Sequence, residues 1–253
     1  MTVLSVSGLN KSFGGVQAVQ DVSFSVAAGE LLAMIGPNGA GKSTCFNMLN
    51  GQLRPDSGSV TLLGRSLVGL APRQIWRLGV GRTFQITATF NSMTVCENVQ
   101  MALLSYHNRL MSLWAPANLL YRDEAMALLD RVGMADQSER PCAILAYGDL
   151  KRVELAIALA NAPKLLLMDE PTAGMAPSER IALMDLTATL ARQDNIAVLF
   201  TEHDMDVVFA QADRIIVLNR GRLIAQGSPA EVRANEEVQS VYLGSGAVFA
   251  EAH

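Results

Sequence analysis

Residues Leu31-Leu32-Ala33-Met34-Ile35-Gly36-Pro37-Asn38-Gly39-Ala40-Gly41-Lys42-Ser43-Thr44 carry the strongest local signal in the chain. Five apolar residues lead into a glycine-rich turn, and a helical pattern follows over Lys42-Asn50. From Gly36 onward the residues fit G-x-x-x-x-G-K-[ST], in the strand-to-helix setting that this pattern requires. Glycines let a backbone curl until successive N–H groups point inward at phosphate oxygens. The helix N-terminus adds partial positive charge at the same place. Lys42 is then expected to reach the β and γ phosphates of a nucleotide, and Ser43 to place its hydroxyl on a magnesium ion.

Working outward, short apolar runs alternate with helical patterns. Leu165-Asp169, Ala197-Thr201 and Ile215-Leu218 read as further buried strands, and Asp149-Asn161 and Ser178-Arg192 as helices between them. Strand, helix and strand in succession imply a mostly parallel sheet covered on both faces. The first 30 residues differ: Val22, Phe24 and Val26 alternate with Ser23 and Ser25, as in a half-exposed antiparallel strand. Ser59-Leu63 is expected in the same small sheet. Between them and the later strands, Glu97-His107 and Glu124-Val132 read as helices. Their connector, Asn108-Asp123, carries Leu110, Met111, Leu113, Trp114, Leu119 and Leu120, and either packs in a helical core or docks on a partner.

The strand Leu165-Asp169 ends in Asp169-Glu170-Pro171. It carries two carboxylates to the C-terminal edge of the sheet, where open α/β sheets bind ligands. Asp169 is expected to hold magnesium, directly or through water, and Glu170 to orient or deprotonate an attacking water. Ala197-Thr201 likewise ends in Glu202-His203, placing one of the chain's three histidines at a strand end. There His203 would contact the γ-phosphate and the attacking water.

Composition narrows the field. Half of the 253 residues are hydrophobic and 17% are charged, the reverse of a disordered chain. The formal net charge of −4 argues against a broad nucleic-acid grip, so no nucleic-acid partner is expected. Cys45, Cys96 and Cys142 form no CxxC pair and read as three free thiols in a reducing cytosol. The opening MTVLSVSGLNKSFGG lacks a secretory leader's pattern. The longest apolar stretches fall far short of the roughly 20 residues a membrane span needs. If the protein meets a membrane, another protein holds it there.

Leu145-Ala146-Tyr147-Gly148-Asp149-Leu150-Lys151-Arg152 stands just before a helix and upstream of the carboxylate strand. This segment, in order with Phe13, Gly36-Thr44, Gln85, Asp169-Glu170 and His203, resembles the signature loop and motif order of ATP-binding cassette (ABC) ATPases over essentially the whole chain. The resemblance implies one nucleotide-binding domain over 1–253. Its fold would be an α/β, P-loop NTPase (RecA-like) core with an antiparallel β lobe and a helical subdomain inserted over roughly 88–147. It implies that Phe13 stacks on adenine, and that Gln85, after the strand Val80-Phe84, reaches magnesium and links core to helical lobe. Two subunits would pair head to tail around two ATP molecules, with Leu145, Ala146, Tyr147 and Gly148 of one capping the γ-phosphate bound by the other. The expected cofactors are ATP and Mg2+. The expected partners are transmembrane permease subunits, a second identical or different ATPase subunit and, indirectly, a solute-binding protein. The expected location is the cytoplasmic face of the bacterial inner membrane.

Two departures stand out. The usual signature begins Leu-Ser-Gly-Gly-Gln, whereas here Ala146, Tyr147 and Asp149 replace the serine, the first glycine and the glutamine. The loop after Pro171 reads Ala173-Gly174-Met175-Ala176-Pro177, with Ala176 where an aspartate is usual. Leu-Ala-Tyr-Gly, Ala-Gly-Met-Ala-Pro, Arg82-Thr83-Phe84-Gln85 and Val241-Tyr242-Leu243-Gly244 look like the ATPases of branched-chain amino acid importers. The alternatives are an ABC ATPase for urea, amides or another solute, and an exporter ATPase of the lipopolysaccharide type. A soluble cassette acting on DNA or ribosomes, or a small-molecule kinase, fits less of the chain.

Overall fold

The computed structural model describes residues 1–83, 89–108 and 120–243, with Leu243 described by its backbone alone. The elements run in order β1 (Thr2–Phe13), β2 (Val16–Ala27), β3 (Leu31–Ile35), α1 (Lys42–Leu49), β4 (Ser57–Leu62), β5 (Arg65–Ser66), α2 (Pro72–Arg77) and β6 (Val80–Thr83). Then come α3 (Val95–Tyr106), α4 (Arg122–Arg131), α5 (Tyr147–Leu159), β7 (Leu165–Asp169), α6 (Pro177–Asp194), β8 (Ala197–Thr201) and α7 (Met205–Gln211). The last are β9 (Arg214–Asn219), β10 (Arg222–Gly227), α8 (Pro229–Ala234) and α9 (Glu236–Leu243).

Among the described residues the strands form two sheets. One has the order β2-β1-β4-β5 and is antiparallel throughout; the other has the order β10-β9-β3-β8-β7-β6. In the second sheet β6, β7, β8, β3 and β9 are parallel and β10 closes one edge antiparallel to β9. Both sheets agree with the expectation of a parallel core beside an antiparallel lobe.

The continuous apolar runs follow from burial on both faces of the parallel sheet. Side chains alternate across a strand. Leu31, Ala33 and Ile35 of β3 therefore join one core cluster with Leu166, Met168, Val198, Phe200, Ile215 and Val217. Leu32 and Met34 join the other, with Leu165, Leu167, Leu199, Ile216 and Leu218. Helices α3 to α7 cover the first face; α1 and the antiparallel sheet cover the second. Each leucine fully withdrawn from water contributes about 1.5–3 kcal/mol, so a polar residue at any of these positions is costly.

Thr94 caps α3 through a reciprocal box, its hydroxyl accepting from the Glu97 N–H while Glu97 accepts from the Thr94 N–H. That box explains why the helix starts at Val95, two residues before the expected Glu97. Helices α3, α4 and α5 pack on one another, and Arg131 of α4 pairs with Asp194 at the end of α6. The three thiols are free and buried, and burial pushes the Cys45 thiol up to about 12. No helix among the described residues is long and apolar enough to cross a membrane.

Candidate functional site

The turn after β3 is built by close backbone approaches. Gly41 has φ +106, and a Cβ there would lie 2.4 Å from the carbonyl oxygen of Ala18. Only glycine fits, because the left-handed backbone and the contact both exclude a side chain. The loop is pinned by hydrogen bonds from Ala40 N–H to Pro37 O at 3.1 Å and from Gly221 N–H to Ala40 O at 2.9 Å. Helix α1 opens with no side-chain cap on its first amides. Lys42 is buried, and its Nζ donates to Gly36 O at 2.6 Å and Pro37 O at 3.2 Å. Burial lowers its pKa, opposed by the negative charges of Glu170 and Asp169. Pro37 is half-buried, Ala40 is buried, and Asn38, Gly39 and Ser43 face solvent, with Thr44 half-buried behind them.

The two carboxylates stand at the end of β7 as expected. Asp169 Oδ1 accepts from Thr201 Oγ1 at 2.8 Å, and its Oδ2 lies 3.8 Å from the Arg82 guanidinium. Glu170 has φ +50, rare outside glycine, and its N–H donates to both the carbonyl and the hydroxyl oxygen of Thr201 at 3.1 Å. His203 Nε2 lies 2.8 Å from Glu170 Oε1. Phosphate-loop lysine, paired carboxylates and histidine are thus brought to one end of the parallel sheet by β3, β7 and β8.

Phe13 is 50% exposed at the β1–β2 hairpin, with Lys11 Nζ 5.6 Å from its ring centre, so it is no core residue. In the signature segment Leu145 is buried and Ala146 stands at the N-cap of α5 without a side-chain acceptor. A Cβ on Gly174 would approach the Tyr147 ring to 3.4 Å, and one on Gly148 would meet the Glu179 carboxylate at 3.1 Å. The segment therefore packs on the loop that follows Pro171 and on the first turn of α6. Ala176, at the N-cap of α6, likewise offers no side-chain acceptor; only the Glu179 carboxylate reaches back, to its N–H at 3.3 Å.

Gln85 lies outside the described residues, as do Phe84, 109–119 with Trp114, and Gly244. The sequence reading missed Thr201, Glu202, Thr172 and Arg82. The signal for the middle pair was a polar residue beside each assigned one, Glu202 next to His203 and Thr172 two after Glu170. Tyr242 is 7% exposed; burial pushes its phenol far up, against a hydrogen bond with the backbone of Gly36.

Such an arrangement defines an α/β protein that binds nucleoside triphosphate at the phosphate loop and holds carboxylate and imidazole groups beside it. Comparison with known proteins makes this specific. The family model described as "ABC transporter" matches residues 19–173, and that described as "Branched-chain amino acid ATP-binding cassette transporter" matches 222–248. The chain is 41% identical over 252 residues to the "High-affinity branched-chain amino acid transport ATP-binding protein LivG" of Salmonella typhimurium, covering 96% of this chain and 98% of that one. It is 40% identical over 249 residues to the protein of the same description named BraF, from Pseudomonas aeruginosa, with the same coverage. The structure superposes on the ADP conformation of MJ1267, an ATP-binding cassette of an ABC transporter, with a TM-score of 0.87 and 31% identity, covering 96% and 99% of the two chains. The chain belongs to the ABC transporter family and is its ATP-binding, ATP-hydrolysing component.

Proposed function

We propose that the chain energises import of branched-chain amino acids, hydrolysing Mg-ATP on the cytoplasmic face of the bacterial inner membrane for separate permease subunits. The 40–41% identity to the branched-chain amino acid transport proteins LivG and BraF, and the match of 222–248, support the solute class. The observation that carries the mechanism is the 2.8 Å contact between His203 and Glu170 at the sheet edge that also presents Lys42.

On this reading Gly36, Pro37, Asn38, Gly39, Ala40 and Gly41 wrap the phosphates with backbone amides. Lys42 exchanges its two loop carbonyls for β- and γ-phosphate oxygens, and Phe13 offers its exposed ring to adenine. The oxygen donors of Ser43 and Asp169 suit magnesium, with Gln85 as a third ligand. Magnesium supplies charge neutralisation along the phosphates when bound. Glu170 orients or deprotonates a water for in-line attack on the γ-phosphorus, the bond to the bridging oxygen breaks, and the proton passes to the carboxylate. His203 steadies Glu170 through Nε2 and meets the γ-phosphate. The uncapped first turn of α5, with Leu145, Ala146, Tyr147 and Gly148, caps the γ-phosphate on a second subunit through backbone amides. A helical subdomain over roughly 88–147 carries that cap and moves with the docked permease.

Uptake of labelled leucine in the native host, comparing wild type with Glu170→Gln at matched expression, tests this directly. Loss of uptake is expected. Unchanged uptake, with the purified variant still unable to hydrolyse ATP, would reject the solute and leave the ATPase reading standing.

A further inference from the structure

We infer that Glu202 is a positioning residue for the Glu170–His203 pair, acting through Thr172 and the His203 backbone. The inference rests on the catalytic reading of Glu170 and His203. Glu202 follows β8 and is only 5% exposed. One carboxylate oxygen accepts from the Thr172 N–H at 2.8 Å and from Thr172 Oγ1 at 2.7 Å. The other accepts from the His203 N–H at 3.3 Å.

A carboxylate is seldom buried unless something near it requires a strong acceptor. Here the requirement is visible. Thr172 is 1% exposed and presents two donors to the interior, which would lack acceptors without Glu202. Its loop begins at Glu170, whose φ of +50 is a conformation that surrounding contacts must hold in place. Thr201, the neighbouring residue, fastens the upstream end of that loop through Asp169 Oδ1 and the Glu170 N–H. Glu202 fastens the downstream end at Thr172 and, with its other oxygen, the backbone of His203. Both partners of the 2.8 Å Glu170–His203 contact are therefore tied to one side chain. Releasing it lets the loop and the histidine move independently. A misplacement near 1 Å at a reacting group costs roughly 10²-fold in rate.

The test measures ATP turnover and nucleotide binding of the purified full chain. Glu202→Ala is expected to lower kcat by about 10- to 100-fold, as misplacement of a catalytic group does, with KM for ATP changed less than about 2-fold. Glu202→Gln keeps an acceptor for both Thr172 donors but turns its NH2 group on the His203 N–H, so it should recover part of the loss, with kcat between those of Glu202→Ala and wild type. If Glu202→Ala does not fold, Thr172→Val, which deletes one of the two donors, should show a smaller loss of kcat in the same direction. In a Glu170→Gln background Glu202→Ala should add nothing, since it acts through Glu170. A full wild-type kcat in Glu202→Ala, or in Thr172→Val where that variant stands in, overturns the inference. So does a loss that adds fully to that of Glu170→Gln. If Glu170→Gln itself turns over normally, the catalytic reading fails first, which separates the two failures.

Discussion

Glu202 and Lys42 show how the site strains ordinary ionisation in opposite ways. Burial lowers the Lys42 ammonium, against the pull of Glu170 and Asp169. Burial raises the Glu202 carboxyl, opposed by the donors on Thr172 and His203 and reinforced by the charge of Glu170. The linkage for Glu202 has a definite sign. Its folded pKa stands above the ordinary 4.5, so the folded chain holds more of this proton than the unfolded chain does. The contribution is fully present below that ordinary value and is lost as pH rises through the raised one. Urea unfolding across that window should show wild type losing stability with rising pH relative to Glu202→Gln, whose amide does not titrate. Parallel stability curves for the two proteins would contradict this.

At the scale of elements, the two departures from the family's usual motifs share one physical position. Ala146 and Ala176 are the N-cap residues of α5 and α6, and neither has an acceptor for the first amides of its helix. Capping by serine or aspartate in place of alanine is typically worth about 1 kcal/mol. Ala146→Ser and Ala176→Asp should therefore each raise the thermal midpoint, by about 2–4 °C in a chain of this size. Aspartate also complements the helix dipole and completes a reciprocal pair with Glu179, so Ala176→Asp should give the larger rise. A lower midpoint in either variant would mean that the alanine fits a contact a longer side chain disrupts. The same elements show what a sequence can disclose. Strands β3, β7 and β8 were legible to the residue, because burial on both faces leaves no polar interruption until the strand ends. Strand β10 was not, because its residues are half-buried or exposed and pair only along one edge. Helices α8 and α9 span only 6 and 8 residues, so periodicity had little length to work on. The phosphate loop, Asp169, Glu170 and His203 were legible because each ends or follows an apolar strand. Thr201 and Glu202 were not, because their roles are hydrogen bonds to residues about 30 positions away.

The whole molecule presents two halves of a nucleotide site that, in the proposed arrangement, meet only between copies. One half is the phosphate loop with Lys42; the other is the uncapped start of α5, packed on the loop after Pro171 through Tyr147 and Gly174. In that arrangement an ATP molecule held by both halves would be part of the contact between subunits, which would link binding to association. On the proposed reading Glu170 is a base rather than a phosphate ligand, so Glu170→Gln should retain Mg-ATP while turnover slows by about 10²–10⁴-fold. With hydrolysis blocked, the closed pair persists, and the variant should elute as a dimer in Mg-ATP and as a monomer in its absence. Ligand at 100 times its dissociation constant stabilises a folded chain by about 2.7 kcal/mol. The thermal midpoint of the variant should therefore rise with ATP and, because association is coupled, rise further with protein concentration at fixed ATP. A midpoint that follows ATP alone, with a monomer at every protein concentration, would mean that one chain completes the nucleotide site by itself. The first turn of α5 would then need a different explanation for its missing caps.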